Sequence, residues 1–264
     1  MSTATRPKRG KDREGRMSLG QHLVELRKRL TLIAIGILLG AVAGWFLSPY
    51  IWDAMSAPVH EMAKAQHASI NYPNITAAFD LKMQVAIYAG IVISSPLWLY
   101  QIFAFLVPGL TGKEKRYTFG FFFTAIPLFL AGCAAGWFVL PHIVTLLTSF
   151  SPQGDATLLS AGDYFSFVLK LVVAIGVAFV LPVFLVLLNF MGILTARGIL
   201  KAWRIALVVI MLFTAIATPS ADVISMFMLA IPLVILYFGA AGVAAIHDRR
   251  IAKTALRIEA ELGS

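Results

Sequence analysis

Charge is scarce in this chain: Asp, Glu, Lys and Arg make up 13% of its 264 residues, about half the share of an ordinary soluble domain. Cysteine is nearly absent. Cys133 stands alone, which excludes an intrachain disulfide and any cysteine-based metal cluster. Set in Leu130-Ala131-Gly132-Cys133-Ala134-Ala135-Gly136, it reads as a small apolar helix residue. None of the histidines (His22, His60, His67, His142 and His247) falls in the middle of an apolar run, so paired haem ligation inside a bundle is excluded. His60-Glu61 is followed by Lys64 rather than a second histidine, and the metalloprotease helix motif fails. No Gly-x-Ser-x-Gly elbow and no phosphate-binding Gly-Lys-Ser/Thr loop occurs. The reading is therefore not an enzyme, with no catalytic residue, no metal ligand and no cofactor assigned. Residues 1–18 are basic and polar without an apolar core, so no cleavable leader is expected and insertion should begin from an internal segment.

Apolar residues, by contrast, make up 59% of the chain, and that excess must face something other than water. A spanning helix needs about 20 mostly apolar residues. The pattern predicts six spans, at about 30–52, 80–107, 117–147, 163–190, 202–217 and 222–246. The third would be about 46 Å long, more than the ~30 Å hydrocarbon thickness, and should tilt, bend or project. The fifth reaches only about 25 Å. Only Thr218, Pro219, Ser220 and Ala221 separate it from the sixth, so the two should form a tight hairpin that barely crosses. Pro96, Pro127, Pro182 and Pro232 punctuate the apolar runs, where each removes an N–H and crowds the preceding turn. No long internal repeat is present, and the paired broken helices of many transporters are not evident.

The net charge of +9 is distributed by side. The tail through Arg29, the loop with Lys113, Lys115 and Arg116, the loop with Arg197, Lys201 and Arg204, and the C-terminal stretch with Arg249, Arg250, Lys253 and Arg257 hold nineteen Lys and Arg. The opposite loops hold Lys64 alone. This asymmetry predicts that both termini are cytoplasmic and assigns the basic excess to the membrane surface, with no nucleic-acid partner. The expected organisation is a basic disordered tail at 1–17, a six-helix membrane domain at 18–246 and a cytoplasmic C-terminal tail at 247–264.

The informative polar residues lie at the basic edge. Ser18-Leu19-Gly20-Gln21 has capping-box spacing, so a helix should begin near Leu19. Leu19, Leu23, Leu26 and Leu30 then form one stripe, and Glu25 with Arg29 makes an i,i+4 pair. On residues alone this is an interfacial helix anchoring the first span. A second edge runs from Tyr100 to Arg116. Apart from the acidic tails, Glu25 and Glu114 are the only carboxylates on a strongly basic face. They are either neutralised surface charges or receptors for a cationic ligand.

Across these edges the sequence resembles the TatC family, the multispanning subunit of the twin-arginine protein translocase. The resemblance lies in His22-Leu23-Val24-Glu25-Leu26-Arg27-Lys28-Arg29-Leu30, in Ser56-Ala57-Pro58, and in Ser95-Pro96-Leu97-Trp98-Leu99-Tyr100-Gln101-Ile102-Phe103-Ala104-Phe105 with the following Pro-Gly-Leu and Glu114. It continues through Tyr164-Phe165-Ser166-Phe167, Met191-Gly192-Ile193, Ala217-Thr218-Pro219-Ser220-Ala221-Asp222 and Leu229-Ala230-Ile231-Pro232. The motifs are short, but their order and spacing cover about residues 18–246.

The resemblance implies an all-α, curved, cup-like bundle in the bacterial inner membrane. It would receive folded cargo bearing an Arg-Arg signal peptide and export it with the proton-motive force. The implied partners are TatA- and TatB-like single-span subunits, twin-arginine signal peptides, membrane lipid and further copies of the chain. Glu25, Arg27, Phe105 and Glu114 would bind the signal, Thr218 and Asp222 would meet a partner helix, and Pro58 would belong to an outer cap. One position departs from the pattern: many relatives carry a membrane-embedded Glu two residues before the proline that is Pro182, and Val180 stands here. Lys170, the conspicuous charge of the fourth span, either snorkels along its stem or makes a functional polar contact. The competing class is a small-solute secondary transporter, which would need polar groups converging mid-membrane.

Overall fold

The computed structural model describes residues 19–66, 69–72, 74–106, 112–149, 158–218 and 223–262. In chain order its elements are α1 (Leu19–Gln66), β1 (Ser69–Asn71), α2 (Ala77–Ile93), α3 (Ser95–Leu106) and α4 (Gly112–Ser149), then β2 (Leu158–Ser160), α5 (Ala161–Phe190), α6 (Ala196–Lys201), α7 (Trp203–Ala217) and α8 (Val223–Leu262). Four helices, α1, α4, α5 and α8, are long and apolar enough to cross a bilayer. The pair α2–α3 makes a fifth candidate, bent by 55°. α7 has 15 residues, about 22 Å of helix, as short as the sequence suggests.

Two helices run well past their apolar stretches. The expected interfacial helix and the first span are one 48-residue helix, α1. The C-terminal stretch at 247–262 continues α8, which spans 40 residues without a break. Each therefore carries polar turns beyond the ~30 Å of hydrocarbon.

The prolines divide into one break and several continuations. Pro127 and Pro141 lie inside α4, Pro182 inside α5 and Pro232 inside α8. Pro96 is different: α2 ends at Ile93, and α3 restarts at Ser95 with Pro96 in its first turn, where the missing N–H costs least. The break takes the Ile91 carbonyl from its ladder partner, and the buried Trp98 indole donates to it at 2.9 Å. That bond satisfies a backbone acceptor which hydrocarbon would otherwise leave bare.

Glycines set the two closest helix crossings. A Cβ on Gly40 would lie 2.6 Å from the Gly90 carbonyl oxygen, one on Gly44 2.5 Å from that of Ala86, and one on Gly90 2.5 Å from the Ala41 nitrogen. α1 and α2 thus meet backbone to backbone. α4 and α5 do the same where a Cβ on Gly132 would sit 2.8 Å from the Gly176 Cα. Cys133 is buried at this crossing, its sulfur where a Gly176 Cβ would go, as its small-residue setting suggests. Such close approach supplies dispersion contact where lipid offers no hydrophobic driving force between helices.

α5 is the hub. It packs against α2, α4 and α8, with Phe165, Val168 and Ile175 fully buried. Tyr164 Oη donates to the Met55 carbonyl at 3.0 Å, and Ser166 Oγ donates to Gln84 Oε1 at 2.7 Å, fastening α5 to α1 and α2. Large apolar side chains such as Leu38, Leu39 and Phe46 remain exposed, as a lipid-facing surface requires. One feature is absent from the sequence reading. Ser69–Asn71 and Leu158–Ser160 pair as a two-stranded parallel sheet, with Ile70 opposite Leu159, joining the connection after α1 to the one before α5. Apart from six residues of strand and short turns, the described chain is helical.

Candidate functional site

The site forms where the start of α1 meets the end of α3. His22, Glu25 and Arg29 recur at spacings of three and four, so one helix face carries all three. That face meets α3. The His22 ring stacks on Phe105 with centroids 4.4 Å apart. Arg29 donates through Nη1 to Gln101 Oε1 at 3.2 Å. It also donates through Nε at 3.0 Å and Nη2 at 2.6 Å to a single oxygen of Glu25, Oε1. The second oxygen, Oε2, is buried and has no hydrogen-bond partner among the described residues. A carboxylate oxygen in that state lacks the stabilisation that a buried charge normally requires. A cavity of about 630 Å³ lined by Gln21, Val24, Lys28, Leu32 and Gln101 includes the Glu25–Arg29 pair in its wall. This arrangement can take one further strong donor at Glu25, and a guanidinium matches it best, since carboxylate and guanidinium pair edge to edge.

The other expected site residues fall differently. Arg27 is exposed, and two residues on from Glu25 it sits about 200° round the helix, away from the cavity. Glu114 stands in the first turn of α4, and Pro58 within α1. Their side chains lie outside the described residues, as does Asp222. Thr218 is buried at the end of α7, and its hydroxyl donates to the Thr214 carbonyl at 2.9 Å. It therefore helps to finish its own helix.

Mid-membrane the picture is apolar. Val180, at the departure position, is buried among Phe129, Cys133 and Val183. Lys170 is exposed and makes no hydrogen bond or ion pair among the described residues. No group of three or more His, Cys, Asp or Glu that could hold a metal ion occurs among the described residues. Among the described residues no set of polar groups converges there as a small-solute site would need.

Sequence reasoning missed a second polar cluster, which ties the end of α5 and the start of α6 to the middle of α8. Asp248 accepts through Oδ2 from the Ala196 N–H at 2.8 Å, and through Oδ1 from Asn189 Nδ2 at 2.9 Å. Asn189 Nδ2 also donates to the Leu194 carbonyl at 2.9 Å, and its Oδ1 lies 3.2 Å from His247 Nδ1. The His247 ring lies 3.7 Å from that of Phe190, nearly parallel. The Ala196 N–H, ahead of the Asn189 bond and the His247 charge, holds the Asp248 carboxyl below its ordinary value, against the opposing effect of burial. The available signal was Asn189 itself, an amide at the end of an apolar helix. A buried amide there must find partners.

Comparison with known proteins agrees with this architecture. The family model of Sec-independent protein translocase protein (TatC) matches residues 21–232. A TatC of Xylanimonas cellulosilytica is 44% identical over 240 residues, covering 90% of this chain and 87% of that protein. A TatC of Rothia mucilaginosa is 39% identical over 241 residues, covering 90% and 82%. Among solved structures, a crystal structure of the twin arginine translocase receptor TatC in DDM is similar with a TM-score of 0.74 and 30% identity, covering 84% of this chain and 99% of that one. With the shared motifs spread from the α1–α3 edge to α8, the chain belongs to the TatC family of Sec-independent protein translocase proteins.

Proposed function

We propose that this chain is the twin-arginine signal-peptide receptor of a translocase for folded proteins, crossing the inner membrane six times with both termini in the cytoplasm. On this reading α6–α7 is the fifth crossing, and the α1–α3 edge, with Glu114 beside it, faces the cytoplasm. The nineteen Lys and Arg gathered on that side support the orientation. The energy source is the proton-motive force, as the resemblance implies.

The observation that carries the proposal is Glu25: a carboxylate on a basic surface, with one oxygen bonded to Arg29 and the other buried without a partner among the described residues. An arriving Arg-Arg pair brings two positive charges to a surface already crowded with Lys and Arg. A direct encounter would be repulsive without a local acid. Exchange resolves this. A signal arginine takes the Glu25 carboxylate as Arg29 swings away from it, while Arg29 keeps its second anchor, Gln101. Glu114 receives the other arginine, and the apolar part of the signal lies against Phe105 and adjoining lipid. TatA- and TatB-like helices pack at the outer hairpin. There the exposed Leu212, Ile216, Val223 and Ile224 supply contact, Thr218 shapes the turn and Asp222 adds a polar group. Folded cargo cannot pass through one copy, because a ring of six helices of ~10 Å diameter leaves only about 10 Å. A compact 100-residue domain has a radius of gyration of ~13 Å. Further copies or partners must therefore complete the conduit.

The test is photocrosslinking from Val24 and Gln101, which border the cavity, to a purified signal peptide. The Arg-Arg peptide should crosslink at both positions, and its Lys-Lys counterpart weakly. Equal crosslinking of both peptides, or of neither, overturns the assignment.

A further inference from the structure

We infer that Lys170 and Gln84 form a carboxylate site inside the membrane, and that its ligand is a Glu or Asp on the spanning helix of a partner protein. This goes beyond signal recognition and does not depend on it; the orientation proposed above serves only to name the leaflet, which is the outer one. Depth is set by the neighbouring residues. Lys82, at the start of α2, has its Nζ 4.3 Å from the centre of the Trp45 ring, a cation and an aromatic paired as at the level where spanning helices meet headgroups. Gln84 lies two residues further along α2, about 3 Å deeper. Its Oε1 accepts from Ser166 Oγ at 2.7 Å, which brings α5 to the same level. Lys170 follows Ser166 by four residues, beside it on the surface of α5 and about 6 Å deeper again. A helical side chain leans toward the N-terminus of its own helix. The Lys170 stem therefore leads back toward the Gln84–Ser166 pair.

Both groups have donors to spare. The Gln84 Oε1 is taken by Ser166, and its Nε2 has no partner among the described residues. Lys170 is exposed and forms no ion pair among them either. An ammonium and an amide N–H₂ are donors only, and a cation in a spanning helix calls for an acid to pair with. A carboxylate answers both. Its source follows from level. Asp53, Asp80 and Asp163 are exposed. Asp163 precedes Ser166 by three residues, Asp80 precedes Gln84 by four, and Asp53 follows Trp45 by eight. All three lie outward of the site, so a second copy standing in the same membrane offers none of them at its depth. A lipid phosphate stays at headgroup level, where Lys82 is the nearer cation. A carboxylate carried on a spanning helix can be held at the required depth. Beyond Lys170 the half-buried Ala174 and the exposed Val177 continue the same face of α5, giving such a helix an apolar strip to pack on.

The test uses the full chain with Ala174→Cys in a Cys133→Ala background, reconstituted into phosphatidylcholine nanodiscs. The probes are three synthetic Leu–Ala helices of spanning length that carry a Glu, a Gln or a Lys at the depth of Gln84, and a cysteine one turn deeper. Disulfide crosslinking to each is measured. The Glu helix should crosslink about fivefold more than the Gln helix, the size of a polar contact between helices in a bilayer. Lys170→Gln should abolish that preference. Lys170→Glu should transfer it to the Lys helix, a reversal that a merely structural lysine would not produce. Gln84→Leu should reduce the preference for Glu without reversing it. Because Lys170 is exposed, its variants should keep the thermal transition of the parent. A Glu preference that survives Lys170→Gln, or no transfer to the Lys helix in Lys170→Glu, overturns the site. If the parent shows no preference among the helices, and Lys170→Gln instead lowers retention of added phosphatidylglycerol, the cation serves lipid phosphate and the carboxylate site is wrong.

Discussion

Arg29 reaches Glu25 with two nitrogens but touches only one of its oxygens, Oε1, at 3.0 and 2.6 Å. The pair is an i,i+4 contact at a half-buried edge, so it is locally encoded and can be exchanged without unfolding either helix. Its asymmetry makes Arg29 a competitor for any cation that Glu25 receives.

Arg29→Gln should therefore strengthen Arg-Arg signal-peptide binding by up to about fivefold, since an exposed or half-exposed pair of this kind is worth up to about 1 kcal/mol. Glu25→Gln should weaken it by a similar factor, and Glu114→Ala should act in the same direction. Fluorescence anisotropy with a labelled peptide would read each change. Weaker binding by Arg29→Gln would mean that Arg29 positions the carboxylate instead of competing for it.

The topology can be checked by cysteine labelling in a Cys133→Ala background. Cysteines at Gln66, Gln153 and Ser220 should react with an impermeant thiol reagent from outside, and those at Thr111, Thr195 and Gly263 should not. External labelling at Thr111 would contradict six crossings.

The glycine crossings give a stability prediction with an internal control. Gly90→Ala places a Cβ 2.5 Å from the Ala41 nitrogen, with backbone on the other side, so α1 and α2 must separate. Overpacking of this kind costs about 1–3 kcal/mol. Gly132→Ala should behave alike at the α4–α5 crossing. Gly239→Ala meets nothing within 4 Å and should be neutral or slightly stabilising, because alanine favours helix. Thermal transitions in one detergent would rank the three, and an equal effect at all of them would dismiss the crossings as the cause.

Asp248 predicts a pH dependence. Its folded-state carboxyl is held below the ordinary value of 3.8, first by the Ala196 N–H. A lowered folded value means that its contribution is present above pH 4 and is lost as the pH falls through that lower value. The side chain is 37% exposed, so solvent screening limits the contribution to about 0.5–1 kcal/mol, the low end for a side chain bonding a helix N-terminus. Asp248→Ala should lower the thermal midpoint at pH 7 and flatten its decline below pH 4. An unchanged slope would assign the acid sensitivity to other groups.

Much of this molecule was legible because the bilayer imposes simple rules on sequence. Apolar runs of spanning length, the short helix before Thr218, the break at Pro96 and the i,i+4 pair of Glu25 with Arg29 are local features. Each depends on helix geometry or on the missing proline N–H. Lys and Arg placement predicts a sidedness that no local structure could supply, since it reflects insertion rather than packing.

What the sequence determined by itself was the helical membrane architecture and the chemistry available at its basic edge. What only the tertiary structure decided was which groups meet. Gln101 and Phe105 lie more than seventy residues from Arg29 and His22, and nothing periodic announces that α3 will deliver them. Thr218, given a partner-helix role by resemblance, is buried and bonds the Thr214 carbonyl of its own helix. Asp248 looked like a tail charge until α8 carried it onto the first turn of α6. The strand pairing of Ser69–Asn71 with Leu158–Ser160 was equally unreadable, as three-residue strands carry too little pattern to register. Helix formation and lipid exposure follow from near neighbours and composition, whereas the partners of a buried polar atom depend on packing between distant segments.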